Sequence, residues 1–396
     1  MGGWYRLDKS VARRALIQLG SLDTFWFPSL QKALAEDYNT ECWTTWSLKK
    51  AAPDTGAPIH NAYALHYLLQ LYKMFPWLQL GNRTYHGLCC SFDAWLATQL
   101  KEDTAALCYL SGCGLWSARR HQKLTGKPVV VDSGSTHTDW QHRVVGEELR
   151  KNGVRQPLFP DCYRARVRKE FFEADWIQIP SRFVAQTYLE NGIPESKLLL
   201  ATYGTDVKSF TQRTQADRKN TFRVICPSGV NLRKGARILV EAWRKLGWKD
   251  AELHWVGQPG VDTSHLFQPM PQGIVWHPHM NHENLAALYR SCDVLALPSF
   301  EEGFARVLIE GAASGLALVA TPNTGVEEFF TPGNPEGWLI RSGDRNVICE
   351  ALIQAKQNQD KTFQKGVQAA ARARSGFSWE DYGARVSKNF KKVLGR

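Results

Sequence analysis

The spacing of apolar and polar positions changes along the chain and becomes most regular in its second half. Residues 294–297 (VLAL) are a short apolar run closed by Pro298, and Gly303 interrupts the acidic loop that follows. Residues 306–313 (RVLIEGAA) carry apolar positions at helical spacing up to Gly315, and residues 316–320 (LALVA) read as a second buried strand. Strand, helix and strand this short and this apolar form one βαβ unit of a parallel sheet, where ligands sit beyond the carboxyl ends of the strands. Glu302 lies at that end.

The same alternation extends upstream. Residues 222–226, 253–257 and 273–276 read as strands, with helical patterns at 236–246 and 284–291. In the first half, strands are expected at 105–110, 128–132, 175–180 and 198–201, and helices at 92–100, 114–125, 143–152 and 181–191. The first hundred residues are the least regular: a helix at 29–35, a strand at 40–46 and an aromatic-rich helical stretch at 61–80 cut by Pro76. Residues 209–220 (SFTQRTQADRKN) are polar and charged and mark a linker, and Ser378 to Asp381 offer a capping box for a last helix reaching Leu394. The expected organisation is an α/β domain over residues 1–205, a second over 206–376 and a terminal helix over 377–396.

Composition narrows this picture. With 43% hydrophobic and 22% charged residues the chain is globular rather than disordered. It has no apolar run of transmembrane length, and its basic N-terminus lacks the apolar core of a signal peptide, so a cytoplasmic protein is expected. Nine cysteines without CxxC spacing read as reduced, mostly buried small hydrophobes. A net charge of +11 points to anionic partners: a nucleotide sugar with its diphosphate, acidic lipid headgroups, or nucleic acid. Arg164, Arg166, Arg168 and Lys169 cluster in one helical stretch, which reads as a solvated face or as contact with an anionic membrane. No motif or aromatic-basic repeat supports nucleic acid.

Glu302 and Glu310 are eight residues apart, roughly 12 Å along a helix axis at 1.5 Å per residue. Glycoside hydrolases hold their two carboxyl groups about 5 to 9.5 Å apart, so the pair suits a long ligand with a polyol at each end better than hydrolysis. The loop 227–235 (PSGVNLRKG) runs into a helix and carries Arg233 and Lys234, an arrangement for binding an anion. His137 follows the strand at 128–132 with Ser135 and Thr136 beside it: either a cleft residue or an ordinary loop histidine. His277, His279 and His282 could suggest a metal, but no acidic ligand is placed with them.

Glu302, Gly303, Phe304 and Glu310, followed by Gly311, Ala312, Ala313 and Gly315, resemble the E-x7-E signature of retaining glycosyltransferases of family 4. The resemblance implies the GT-B fold, two Rossmann-like parallel-sheet domains facing a central cleft, with the last helix packing back on the first domain. It implies a metal-independent enzyme with no resident cofactor, moving a sugar from a nucleotide-diphosphate sugar to a carbohydrate or lipid-linked hydroxyl acceptor. Such enzymes serve glycan, polysaccharide or glycolipid assembly, here in the cytoplasm or at a membrane surface. By the same resemblance Glu302, Lys234 and His137 are the catalytic candidates. Glu310, Gly303, Phe304, Ala305, Arg233, His277, His279, Thr324 and Gly325 are expected at the donor, with Glu310 on the ribose and His277 and His279 near the base. Two departures stand out: many members carry an arginine five residues before the lysine, where this chain has Gly229, and no glycine pair follows a first strand. A retaining phosphorylase and a non-catalytic nucleotide- or membrane-binding member of the fold are the alternatives.

Overall fold

The computed structural model describes residues 15–21, 27–45, 58–74, 83–154, 158–258, 260, 263–278, 280–333 and 335–396. Among them the strands form two sheets, parallel throughout. The first orders seven strands β3-β2-β1-β4-β5-β6-β7: β1 (Leu16–Ser21), β2 (Asn39–Thr44), β3 (Ile59–Asn61), β4 (Thr104–Leu110), β5 (Val129–Asp132), β6 (Trp176–Ile179) and β7 (Leu198–Leu200). The second orders six strands β10-β9-β8-β11-β12-β13: β8 (Phe222–Cys226), β9 (Ala251–Val256), β10 (Ile274–His277), β11 (Val294–Leu297), β12 (Ala317–Ala320) and β13 (Gly337–Leu339). Each is a Rossmann-like sheet whose order reverses beside its first strand, and that reversal opens a crevice at the carboxyl ends. In the second sheet the crevice lies between β8 and β11. Those are the strands that feed the loops carrying Arg233, Lys234 and Glu302.

The βαβ unit at 294–320 is present as β11, the helix Arg306–Ala313 and β12, each strand buried along its length. Two strands were not legible, the short edge strand β3 and β1: β1 is an interior strand at the order reversal of its sheet, yet its apolar run is broken by Gln18. That side chain is fully buried and satisfied, accepting from Thr104 Oγ1 at 2.7 Å and Lys101 N at 3.2 Å while donating to the Gln99 carbonyl. Gly20 of the same strand leaves room for Leu96, whose Cδ2 would lie 2.4 Å from an added Cβ.

The basic stretch at 164–169 is only in part a solvated face. In the helix Asp161–Glu173 the Arg166 guanidinium is buried and pairs with Asp93 and with Glu170, the latter at 3.4 Å, while Arg164 pairs with Asp139 at 2.8 Å. Burial lifts the Glu170 carboxyl to about 7 against the opposing charge of Arg166 and two backbone N–H donors, Gly112 and Gly114.

The chain's last helix, Trp379–Val393, begins with the capping box of Ser378 and Asp381 and packs on the helix Phe27–Ala35 and on β7. Its Tyr382, Val386 and Phe390 join one continuous core with Leu19 of β1, Tyr203, Phe304 and Phe377, so the two halves share apolar packing. No helix among the described residues is long and apolar enough to cross a membrane.

Candidate active site

The loop after β8 is shaped by its own polar residues. Asn231 caps the short turn Leu232–Lys234 by accepting from Lys234 N at 3.0 Å, and Gly235 closes it at φ 75°. A Cβ at Gly235 would lie 2.2 Å from the Pro298 carbonyl oxygen, so this loop is pressed against the one after β11. Phe300 N donates to the Arg233 carbonyl at 2.8 Å and locks the two together.

Two doublets of opposite charge therefore meet in register. Lys234 Nζ forms a direct ion pair with Glu302, and Arg233 Nη1 lies 2.8 Å from Glu301 Oε2 and 3.8 Å from Glu302 Oε2. Glu302 also accepts from Ser299 Oγ at 3.2 Å. Burial alone would raise the Glu301 carboxyl, but the Arg233 charge and the hydroxyls of Ser135 and Thr136 outweigh it and hold it below the ordinary value.

Arg233, Lys234 and Glu302 border a cavity of about 500 Å³, a volume usual for small-molecule sites. Gly134, Ser135 and Tyr203 line it from the first half and the chain leaving it; Pro227, Ser228, Gly229, Arg233, Lys234 and residues 302–307 line it from the second. Gly303, Phe304 and Ala305 are thus on the wall. Thr324 and Gly325 stand behind it: Thr324 accepts from Ala305 N at 3.0 Å, and Gly325 at φ 74° lets the chain turn beneath Phe304. Glu310 lies one turn into the helix, buried, with Thr205 Oγ1 and Tyr289 Oη each at 3.5 Å; burial raises its carboxyl, partly offset by Arg306. Arg306 itself lines the cavity with its guanidinium over the Trp379 ring.

Other expected site residues are not brought to the cavity wall. His137 caps the helix Thr138–Lys151, accepting at Nδ1 from Asp139 N, and its ring is buried between Phe171 and Tyr188 at centroid distances of 5.4 and 5.3 Å. Its Nε2 has no hydrogen-bond partner among the described residues, and burial drives the ring down to about 4, so it is neutral. His277 stacks on His254, with Nε2 3.0 Å from His254 Nδ1, at the end of β10. His279 lies outside the described residues. No group of three metal-binding side chains occurs among those described. A larger cavity, about 890 Å³, lies between the helices Phe27–Ala35 and Trp379–Val393, away from both charged loops.

Glu301 and Arg306 are the site residues that sequence reasoning passed over. The signal for Glu301 was the matching doublet, Arg-Lys in one loop and Glu-Glu in the other.

Residues 221–358 match the family model described as Glycosyl transferases group 1. The MMP alpha-(1->4)-mannosyltransferase of Mycolicibacterium hassiacum is 24% identical over 251 residues, 61% of this chain and 60% of the relative. A D-inositol 3-phosphate glycosyltransferase of Nocardia farcinica is 32% identical over 106 residues, 27% of this chain and 23% of the relative. The chain thus spans less than two thirds of the length of these curated relatives. Among solved structures, sucrose-phosphate synthase from Thermosynechococcus elongatus superposes with a TM-score of 0.70 at 18% identity over 96% of this chain and all of that one. Anabaena HepE, solved in complex with UDP and glucose, gives 0.68 at 14% identity, with 96% and 100% covered. The fold is GT-B.

Proposed function

We propose that the chain is a retaining glycosyltransferase that takes a sugar from a nucleotide-diphosphate sugar and passes it to a hydroxyl of a carbohydrate or lipid-linked acceptor, in glycan, polysaccharide or glycolipid assembly. The observation that carries this reading is the meeting of Lys234 and Glu302 in a cavity at the switch point of the second sheet. The match of residues 221–358 and the likeness of fold to UDP- and sugar-bound HepE support it. In this reading the second half holds the donor and the first half the acceptor.

Glu302 accepts hydrogen bonds from the sugar's hydroxyls, beside the backbone of residues 303–305, and Glu310 those of the ribose. Lys234 and Arg233 offset the charge that grows on the diphosphate as the glycosidic bond breaks, with the N-terminus of the helix Arg306–Ala313 facing the same cavity. Among the described lining residues Glu302 is the one carboxylate, and it is held by Lys234. That favours departure and attack on the same face of the sugar over a covalent intermediate, and no metal is required.

The test is a thermal-shift screen with uridine, guanosine and adenosine diphosphate sugars, followed by transfer assays. A donor at a hundred times its Kd stabilises by about 2.7 kcal/mol. Lys234→Ala and Glu302→Ala are expected to abolish turnover without lowering the ligand-free Tm; wild-type transfer by either variant would overturn the assignment.

A further inference from the structure

Glu301 is a buried charge that the proposed reaction does not use. Its carboxylate is fully shielded from solvent and gathers groups from both halves of the molecule. Ser135 Oγ and Thr136 Oγ1 each donate to Oε1 at 2.8 Å, Thr136 N to the same oxygen at 3.4 Å, and Gln141 Nε2 to Oε2 at 2.9 Å. From the other side comes Arg233, 2.8 Å from Oε2, a residue that also lines the cavity and whose side chain is one-third exposed, at 33%.

We propose that Glu301 is a positioning residue that holds Arg233 in reserve: it neutralises the guanidinium while the cavity is empty, yields it to the donor's diphosphate, and takes it back as the nucleoside diphosphate leaves. The inference rests on the glycosyltransferase reading above. Its physical basis is the asymmetry of the partners. A buried carboxylate that loses its only counter-ion is strongly destabilised unless hydrogen bonds remain. Here the remaining donors are neutral and come from the first half of the chain. Arg233 can therefore turn to a phosphate in the cavity it lines without leaving Glu301 bare. The two cations of the β8 loop are matched by the two carboxylates of the β11 loop, so a diphosphate must compete for them. That competition weakens the grip on the spent nucleotide and speeds its release.

A clamp that merely joined the two halves would behave differently, and the sign of one substitution separates the two. Titration calorimetry is run with UDP, GDP and ADP on the full chain. Glu301→Gln keeps the shape but removes the charge, so the nucleoside diphosphate that the wild type binds is expected to bind about tenfold more tightly, with a steeper loss on adding salt and a lower kcat. Gln141→Met removes a competing donor to Oε2, strengthens the hold on Arg233, and is expected to weaken binding about threefold. In an Arg233→Met background Glu301→Gln is expected to change nothing, which isolates the coupling. Equal or weaker binding by Glu301→Gln with an intact circular dichroism spectrum, or a gain that persists without Arg233, overturns the reserve. Should Glu301→Gln not fold, unchanged affinity in Gln141→Met overturns it instead. If the wild type binds none of the three nucleotides, the donor reading itself falls and the reserve with it.

Discussion

Gly303 and Gly134 meet backbone to backbone: a Cβ on Gly303 would sit 1.9 Å from the Gly134 carbonyl oxygen. Gly134 belongs to the loop after β5 and Gly303 to the loop after β11, so the two halves touch where neither has a side chain. Ser181 Oγ adds a hydrogen bond to the Gly303 carbonyl at 2.7 Å. Because the obstructing atom is backbone, it cannot rotate away. Gly303→Ala is expected to cost about 1–3 kcal/mol of stability and about tenfold in donor affinity, as the loop bearing Glu302 is pushed out of register. Melting and calorimetry on the same variant check both.

Gly229 offers the opposite experiment. It lines the cavity, and a Cβ there would find nothing nearer than Asn231 Nδ2 at 3.4 Å. The resembling family often places an arginine here, and the backbone of this chain leaves room for its Cβ. Gly229→Arg is expected to tighten nucleoside diphosphate binding about three- to tenfold through a charge-assisted hydrogen bond, most visibly at low salt. Weaker binding in calorimetry would count against the diphosphate lying beside this loop.

The Arg166 pair with Asp93 and Glu170 is buried on every side, with side-chain exposures of 6%, 0% and 0%. Arg166→Met removes the counter-charge of Asp93 and Glu170 in the first half of the chain and is expected to cost about 3–5 kcal/mol in urea denaturation at neutral pH. Arg166→Lys should recover part of that loss.

His137 gives the molecule an acid-sensitive term. Burial holds its ring near 4 when folded, against 6.5 for an ordinary histidine. Between those values the unfolded chain binds the extra proton, so the contribution of the neutral ring is present above 6.5 and is lost as pH falls toward 4. His137→Asn keeps a helix cap but does not titrate. The stability advantage of wild type over this variant is expected to shrink across that window in urea melts at stepped pH; a constant difference would show that the ring is not buried neutral.

Much of the architecture was legible because parallel strands buried on both faces are near-continuous apolar runs, as at 294–297 and 316–320. β1 escaped because Gln18 interrupts its run, and only the tertiary partners Gln99, Lys101 and Thr104 make that glutamine tolerable. Within the site, spacing placed Glu302 and Lys234 in loops after strands and Glu310 in the helix that follows, where local pattern suffices. The direction of the His137 ring was set by its cap to Asp139 N, and the partner of Glu301 lay 68 residues away in Arg233. Neither relation leaves a trace in local periodicity.

The chain passes between its two halves at neighbouring points. Thr205 N donates to the Phe377 carbonyl at 2.9 Å, Thr205 and Ser378 form a parallel bridge, and a Cβ at Gly204 would lie 2.1 Å from the Ser378 carbonyl oxygen. Because the two crossings are tied to each other, residues 204–205 and 377–378 form one joint rather than two independent linkers.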